Sequence, residues 1–226
     1  MRVLAIDTAL AVCAAAIFES DGGTILAREA QTMARGHAEA VMPLVARVMD
    51  AAGAEFATLD RVAVTVGPGS FTGLRVGISA ARGIALAAGK PAVGVATLAA
   101  YAAPHIAHED GAAVLAAVDA RHDHVYLQMF ASSGRTLTGP RLATIADAVA
   151  AGIAAPVRLV GSGAQLVAAV WPADQPAPLL VDVQPAPAIE WVARLGAAAA
   201  SDAAPRPLYL RAPDARPQDS ARLPRQ

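Results

Sequence analysis

Apolar and polar residues fall in blocks along the chain, and the blocks predict a strand-rich opening followed by helices. Residues 2–6 form a short apolar run closed by Asp7 and Thr8. Residues 10–18 and 24–30 make two more, with Asp21-Gly22-Gly23 between them as a hairpin turn. From residue 37 to 52 the period changes to that of a helix. Val41, Met42, Val45, Val48, Met49 and Ala52 share one face, while Glu39, Arg47 and Asp50 face water. Pro43 must sit in the early turns of this helix or kink it, and Gly53 ends it. Residues 61–95 then read as a strand (62–66), a Gly67-Pro68-Gly69 turn, a helix (70–88) stopped by Gly89, and a strand opened by Pro91. Strand, crossover helix and strand make a βαβ unit and hence a parallel sheet.

The 70–88 helix carries three stripes. Phe71, Leu74, Ile78, Ala81, Ala85 and Ala88 make a core face; Gly73, Gly77, Ala80 and Ala87 make a second face of small residues; Thr72, Arg75, Ser79 and Arg82 make a polar third. Glycine inside a helix costs roughly 1 kcal/mol relative to alanine, so Gly73, Gly77 and Gly83 together cost on the order of 3 kcal/mol. A close approach by another helix or a ligand is needed to offset that.

The second half repeats the first. After a short helix (97–103) and the polar break PHIAHEDG, an apolar strand (112–118) ends at Asp119, a second strand covers 124–131, and Ser132-Ser133-Gly134 is a turn. Asp7 precedes Gly22 by 15 residues, Asp119 precedes Gly134 by 15, and the two patterns lie 112 residues apart, which indicates internal duplication. The expected organisation is an N-terminal lobe over 1–104, a C-terminal lobe over 105–211 and a disordered tail over 212–226. Within the second lobe a helix (144–151), a strand (157–160), the turn Gly161-Ser162-Gly163 and a helix through residue 170 follow. Beyond them lie a proline-rich stretch (172–187) around a short strand (179–181), a last helix (189–200) and an ordered PLYLR segment.

Composition narrows the class. Hydrophobic residues make up 55% of the chain but aromatics only 4%, so the core is built from alanine and aliphatics. No run of about 18 uncharged apolar residues exists, so no transmembrane helix is expected, and Asp7 comes too early for a signal peptide. A single cysteine, Cys13, fits a reducing cytoplasm and a buried strand position. A formal charge of −1 and few aromatics argue against an autonomous RNA-binding module.

The motif tests mostly exclude. GPGSFTG invites a phosphate-binding reading, but the P-loop spacing lands on Thr72-Gly73-Leu74 without a lysine. The dinucleotide fingerprint needs a glycine at Thr72, and Val95-Ala96 offers no acidic ribose ligand. A serine elbow needs glycines where Pro68 and Thr72 stand. A tight turn that permits close packing is the stronger reading. Asp7 and Asp119 end strands, where they either flank a metal-nucleotide between lobes or form turns. His37 and Glu39 lack the second histidine of a helical zinc pair, since Val41 occupies that position. His105, His108, His122 and His124 read as exposed polar residues, and Asp119, Arg121 and Asp123 as ion-pairing groups at the hairpin. Arg206, Arg211, Arg216, Arg222 and Arg225 alternate with Asp214 and Asp219 as solvated charge.

MRVLAIDTAL, ARGHAEAVMP, VTVGPGSFTGLRVGISAARGIALA, VDARHDHVYLQMF and PLYLR closely resemble the TsaB (YeaZ) family. The resemblance covers most of residues 1–130 and returns at 205–211; GPGSFTGLR is its most specific element. It implies an α/β, duplicated two-lobe actin/Hsp70-like (ASKHA) fold, agreeing with the repeat. It further implies a non-catalytic subunit that forms dimers when alone. With a catalytic paralogue, TsaD, and an ATPase, TsaE, such a subunit serves in threonylcarbamoylation of the adenosine beside the anticodon of tRNAs reading codons that begin with A. The paralogue's His-x-Glu-Gly-His metal motif aligns with His37, Ala38, Glu39, Ala40 and Val41, so the second histidine is missing. No catalytic or metal residue is therefore expected, nor any cofactor for this chain alone; ATP and a divalent metal belong to the partner subunits. A vestigial nucleotide site is expected at Asp7, Thr8, Gly67 and Gly69. The helices at 37–52 and 70–88 are expected to pack on a partner through His37, Glu39, Met42, Gly73, Arg75, Gly77, Ser79, Ala80 and Arg82. A stand-alone ATP-dependent enzyme or metallopeptidase of the glycoprotease-like superfamily is the competing expectation.

Overall fold

The opening apolar runs form β1 (Arg2–Asp7), β2 (Val12–Glu19) and β3 (Thr24–Thr32), an antiparallel meander. They lead through α1 (His37–Ala51) to β4 (Arg61–Gly67), α2 (Phe71–Ala88) and β5 (Ala92–Ala96). β4 and β5 add in parallel beside β1, giving the order β3-β2-β1-β4-β5. These elements come from a computed structural model that describes residues 1–107 and 110–211. The second half contributes α3 (Thr97–Ala102), β6 (Ala113–Asp119), β7 (His124–Phe130), β8 (Thr136–Thr144), α4 (Ile145–Gly152), β9 (Val157–Val160), α5 (Ala164–Ala168), β10 (Leu180–Asp182) and α6 (Ile189–Ala198). Its sheet order, β8-β7-β6-β9-β10, repeats the first one element for element. The repeat reaches single hydrogen bonds. Asp7 Oδ1 accepts from the Ala9 amide at 2.9 Å, and Asp119 Oδ1 accepts from the Arg121 amide at 2.7 Å.

Burial on both faces explains why β1 and β4 are nearly continuous apolar runs. Leu4, Ile6, Val62 and Val64 pack under α1 and α2, against Leu44, Val45, Leu74 and Ile78. Val3, Ala5, Ala63 and Val93 face the other way, onto Ile189, Val192 and Ala193 of α6. Each fully buried aliphatic side chain contributes about 1.5–3 kcal/mol. Gly196 of α6 lets that helix sit directly on the sheet, since a Cβ there would meet Ala63 Cβ at 2.2 Å. On the second sheet, Leu98, Tyr101 and Ala102 of α3 cover Val114, Ala116 and Val118. The division at residue 104 thus separates the two sheets but not the layers. The last helix of the second half returns to the first lobe, and α3 covers the second.

Several elements differ from the sequence expectation. β8 falls in a stretch where no element was expected; it carries Gly139 and Pro140, and as an edge strand it has no neighbour on one side to need the missing proline N–H. α5 stops at Ala168 and α6 at Ala198, each earlier than expected. Phe71 is 41% exposed rather than part of the core face. Pro43 sits within an uninterrupted α1, and Cys13 is buried, its thiol pushed up to about 11 by burial. His108 and the expected disordered tail lie outside the described residues.

Candidate functional site

The glycine stripe of α2 faces two different neighbours. A Cβ on Gly73 would lie 2.1 Å from the Thr8 carbonyl oxygen, and one on Gly77 would lie 2.3 Å from Thr8 Oγ1. Thr8 Oγ1 donates to the Gly73 carbonyl at 2.7 Å, so α2 crosses the end of β1 in direct contact. The close approach that offsets these glycines is therefore intrachain. Gly73 and Gly77 are buried, which corrects the expectation that they lie on a partner surface. Gly83 is the exception, exposed and with no atom within 4 Å of a Cβ placed there.

The expected nucleotide residues form part of the same junction. A Cβ on Gly69 would meet the Ala9 carbonyl oxygen at 2.3 Å, and that carbonyl accepts the Ser70 amide at 2.7 Å. Ser70 caps α2 by accepting from the Gly73 amide at 3.3 Å. Two of the amides that would face a phosphate at this helix start, those of Ser70 and Gly73, are thus engaged by the chain itself. Gly67 has φ +109, and a Cβ there would lie 2.9 Å from the Leu208 carbonyl oxygen. Asp7 is fully buried. Its Oδ1 accepts from Thr65 Oγ1 at 2.6 Å and from Ala9, while Oδ2 has no hydrogen-bond partner among the described residues. Burial raises its pKa against the opposing pull of those two hydrogen bonds and of His37.

The outer side of α1 and α2 is different. Met42, Phe56, Ser79, Ala80, Gly83, Ile84, Ala87 and their neighbours line an apolar groove of about 510 Å³. Met42 is 46% exposed and Phe56 40%. Phe56 and Ala57 come from a single 3₁₀ turn (Phe56–Thr58) between α1 and β4. The turn carries no periodic signal in the sequence, only a phenylalanine three residues after the Gly53 stop.

The remaining expected interface residues separate. His37 and Glu39 line a cleft of about 350 Å³ with Arg35, Ser70 and Thr72, and His37 Nε2 lies 3.0 Å from the Leu10 carbonyl oxygen. Val41, at the position of the missing histidine, points into the core. Arg75 turns onto Phe71 and Tyr209, while Arg82 borders a shallow depression with Leu86 and Lys90. No group of three or more His, Cys, Asp or Glu side chains among the described residues is placed to hold a metal ion. No helix among the described residues is long and apolar enough to cross a membrane.

Two mixed sheets of identical topology, with helices exchanged between them, define a duplicated two-lobe α/β protein. The family model described as TsaD, tRNA N6-adenosine threonylcarbamoyltransferase, matches residues 24–169. The tRNA threonylcarbamoyladenosine biosynthesis protein TsaB of Escherichia coli is 39% identical over 126 residues, covering 56% of this chain and 53% of that one. The match thus spans about half the length of that relative. An uncharacterized protein of Mycobacterium tuberculosis is 34% identical over 230 residues, covering 95% of this chain and 94% of its own. The solved structure of YeaZ from Pseudomonas aeruginosa superimposes with a TM-score of 0.72 at 27% identity, covering 92% of this chain and 99% of that one. The chain belongs to the TsaB/YeaZ family.

Proposed function

We propose that this chain is a non-catalytic subunit of the cytoplasmic machinery for threonylcarbamoylation of the adenosine beside the tRNA anticodon, and that it pairs with a TsaD-type paralogue, or with itself when alone. In this reading a TsaE-type ATPase joins the complex, and ATP and a divalent metal serve the partner subunits. The observation that carries the reading is the apolar groove on α1 and α2, flanked by half-exposed Met42 and Phe56. Fully burying such side chains contributes about 1.5–3 kcal/mol each, so covering their exposed halves adds about 1 kcal/mol apiece. The floor residues Ala80, Gly83 and Ala87 are small enough to admit the ridge of a facing helix. Val41 in place of the second metal ligand supports a supporting rather than a catalytic role.

The test is association. Ala80→Glu and Gly83→Leu place charge or bulk in the groove; Gly83 has nothing within 4 Å of a new Cβ, whereas Ala80 also packs partly on the core, so Gly83→Leu is the cleaner variant. Sedimentation should show both variants folded, monomeric and unable to bind the paralogue. Retained dimerisation and partner binding would count against the groove. Calorimetry with ATP and Mg²⁺ separates the competing stand-alone enzyme, since tight nucleotide binding by this chain alone would favour it.

A further inference from the structure

Residues 61–108 contain no aspartate or glutamate, yet they carry Arg61, Arg75, Arg82 and Lys90. Arg61 is used internally, donating to the Gly196 and Ala199 carbonyls at 3.0 and 2.7 Å. The other three lie along the outer side of α2 and just beyond its end. Arg75 and Arg82 are two turns apart and share one face. The chain from Ala204 to Tyr209 runs alongside. Ala204 borders the depression with Arg82 and Lys90, the Leu208 amide donates to the Val66 carbonyl at 2.7 Å, and Tyr209 stacks on Phe71 with centroids 5.1 Å apart. This segment brings the exposed Arg206 to the same edge.

Arg75, Arg82, Lys90 and Arg206 pair with no carboxylate among the described residues, whereas Arg2, Arg28, Arg47 and Arg158 each do. Arg35, Arg135, Arg141, Arg194 and Arg211 also make no ion pair among the described residues, but Arg75, Arg82, Lys90 and Arg206 form a local cluster beside α2 in a chain of net charge −1. Arg75 is held in place, its guanidinium 3.8 Å from the Phe71 centroid and its Nε donating to Tyr209 Oη at 3.1 Å. A cation fixed in this way loses less rotamer freedom on meeting an anion. Phe71 and Tyr209 remain 41% exposed, so the stacked pair still offers ring surface.

We propose that this face contacts the tRNA directly, with Arg75, Arg82, Lys90 and Arg206 on its phosphodiester backbone. The proposal rests on the function proposed above and names where the substrate of the complex meets this subunit. The face is centred roughly 140° around α2 from the groove and meets it at Gly83, so a protein partner and RNA are held side by side. A net charge too small for autonomous binding is no obstacle, because the complex supplies the rest of the RNA surface.

The test measures tRNA binding by fluorescence anisotropy, across a salt series, using the assembled complex with the paralogue. Arg82→Gln combined with Lys90→Gln changes only exposed or half-exposed side chains. The expected result is roughly tenfold weaker binding and a log–log salt slope shallower by about 1.5, near 0.7–0.9 per lost phosphate contact, with complex assembly unchanged. Unaltered affinity and slope in the variant, while the wild-type complex binds tRNA, would overturn this proposal alone. Loss of assembly in the variant would assign the face to a protein and overturn it as well. A wild-type complex that ignores tRNA would overturn the parent reading, and this one with it.

Discussion

Replacing Gly77 and Gly83 by alanine should move stability in opposite directions, although both sit inside one helix. At Gly83 a new Cβ meets nothing within 4 Å, so the helix gains the full propensity difference of about 1 kcal/mol. In a chain of this size that raises Tm by about 2–4 °C. At Gly77 the same gain is opposed by a Cβ placed 2.3 Å from Thr8 Oγ1. The helix or Thr8 must shift by about 1 Å, with overpacking of about 1–3 kcal/mol. The buried bond from Thr8 Oγ1 to the Gly73 carbonyl is lost for about 1–3 kcal/mol more. After the propensity gain, Gly77→Ala is expected to destabilise by about 1–5 kcal/mol. Urea denaturation followed by circular dichroism measures both variants. A double-mutant cycle sharpens the test, because Thr8→Ala removes the colliding oxygen and should shrink the Gly77→Ala penalty. Equal stability of Gly77→Ala and the wild type, or additivity with Thr8→Ala, would refute the intrachain account of this glycine.

Asp7→Asn keeps an acceptor for Thr65 and Ala9 and removes a buried charge. The folded-state pKa of Asp7 lies above its usual 3.8, so the native state holds the proton longer and wild-type stability falls as pH rises from about 3.8 through the raised value. The variant should therefore melt higher than the wild type at pH 7 and lose that advantage towards pH 3.5, as thermal scans would register; no change in the gap would contradict the burial argument. Cys13, buried with its thiol pushed up to about 11, should ignore a thiol reagent at pH 8 until the protein is unfolded. Immediate stoichiometric labelling would be the contrary result. Tyr209→Ala removes the stack on Phe71 and the hydrogen bond from Arg75, and should lower stability by about 1–2 kcal/mol while making the chain near Leu208 more open to proteolysis.

The sheets were legible because buried parallel strands announce themselves as unbroken apolar runs, and the paired aspartates marked the repeat. β8 was not, since Gly139-Pro140 interrupts its pattern and only an edge position makes that tolerable. The small-residue stripe of α2 showed that something must approach closely, but not what. The body opposite Gly73 is Thr8, 65 residues earlier in the chain, a contact that periodicity within α2 does not encode. Met42, Ser79 and Ala80, expected at a partner face from the family resemblance, do meet in one groove. Gly83, where a Cβ would meet nothing within 4 Å, and Phe56, from a turn outside either helix, complete it. The segment at 205–211 was recognisable as ordered, while its attachment to Val66 and Phe71 depends on contacts more than 130 residues apart.

The supporting role itself is tested most directly by a reconstituted threonylcarbamoylation assay with purified TsaD-type and TsaE-type proteins, tRNA, ATP and the threonylcarbamoyl donor. The expected result is no product from this chain alone, product from the complete set, and loss of product when the wild-type chain is replaced by Ala80→Glu or Gly83→Leu. Product formed by this chain without the paralogue, or full activity with both groove variants, would contradict it.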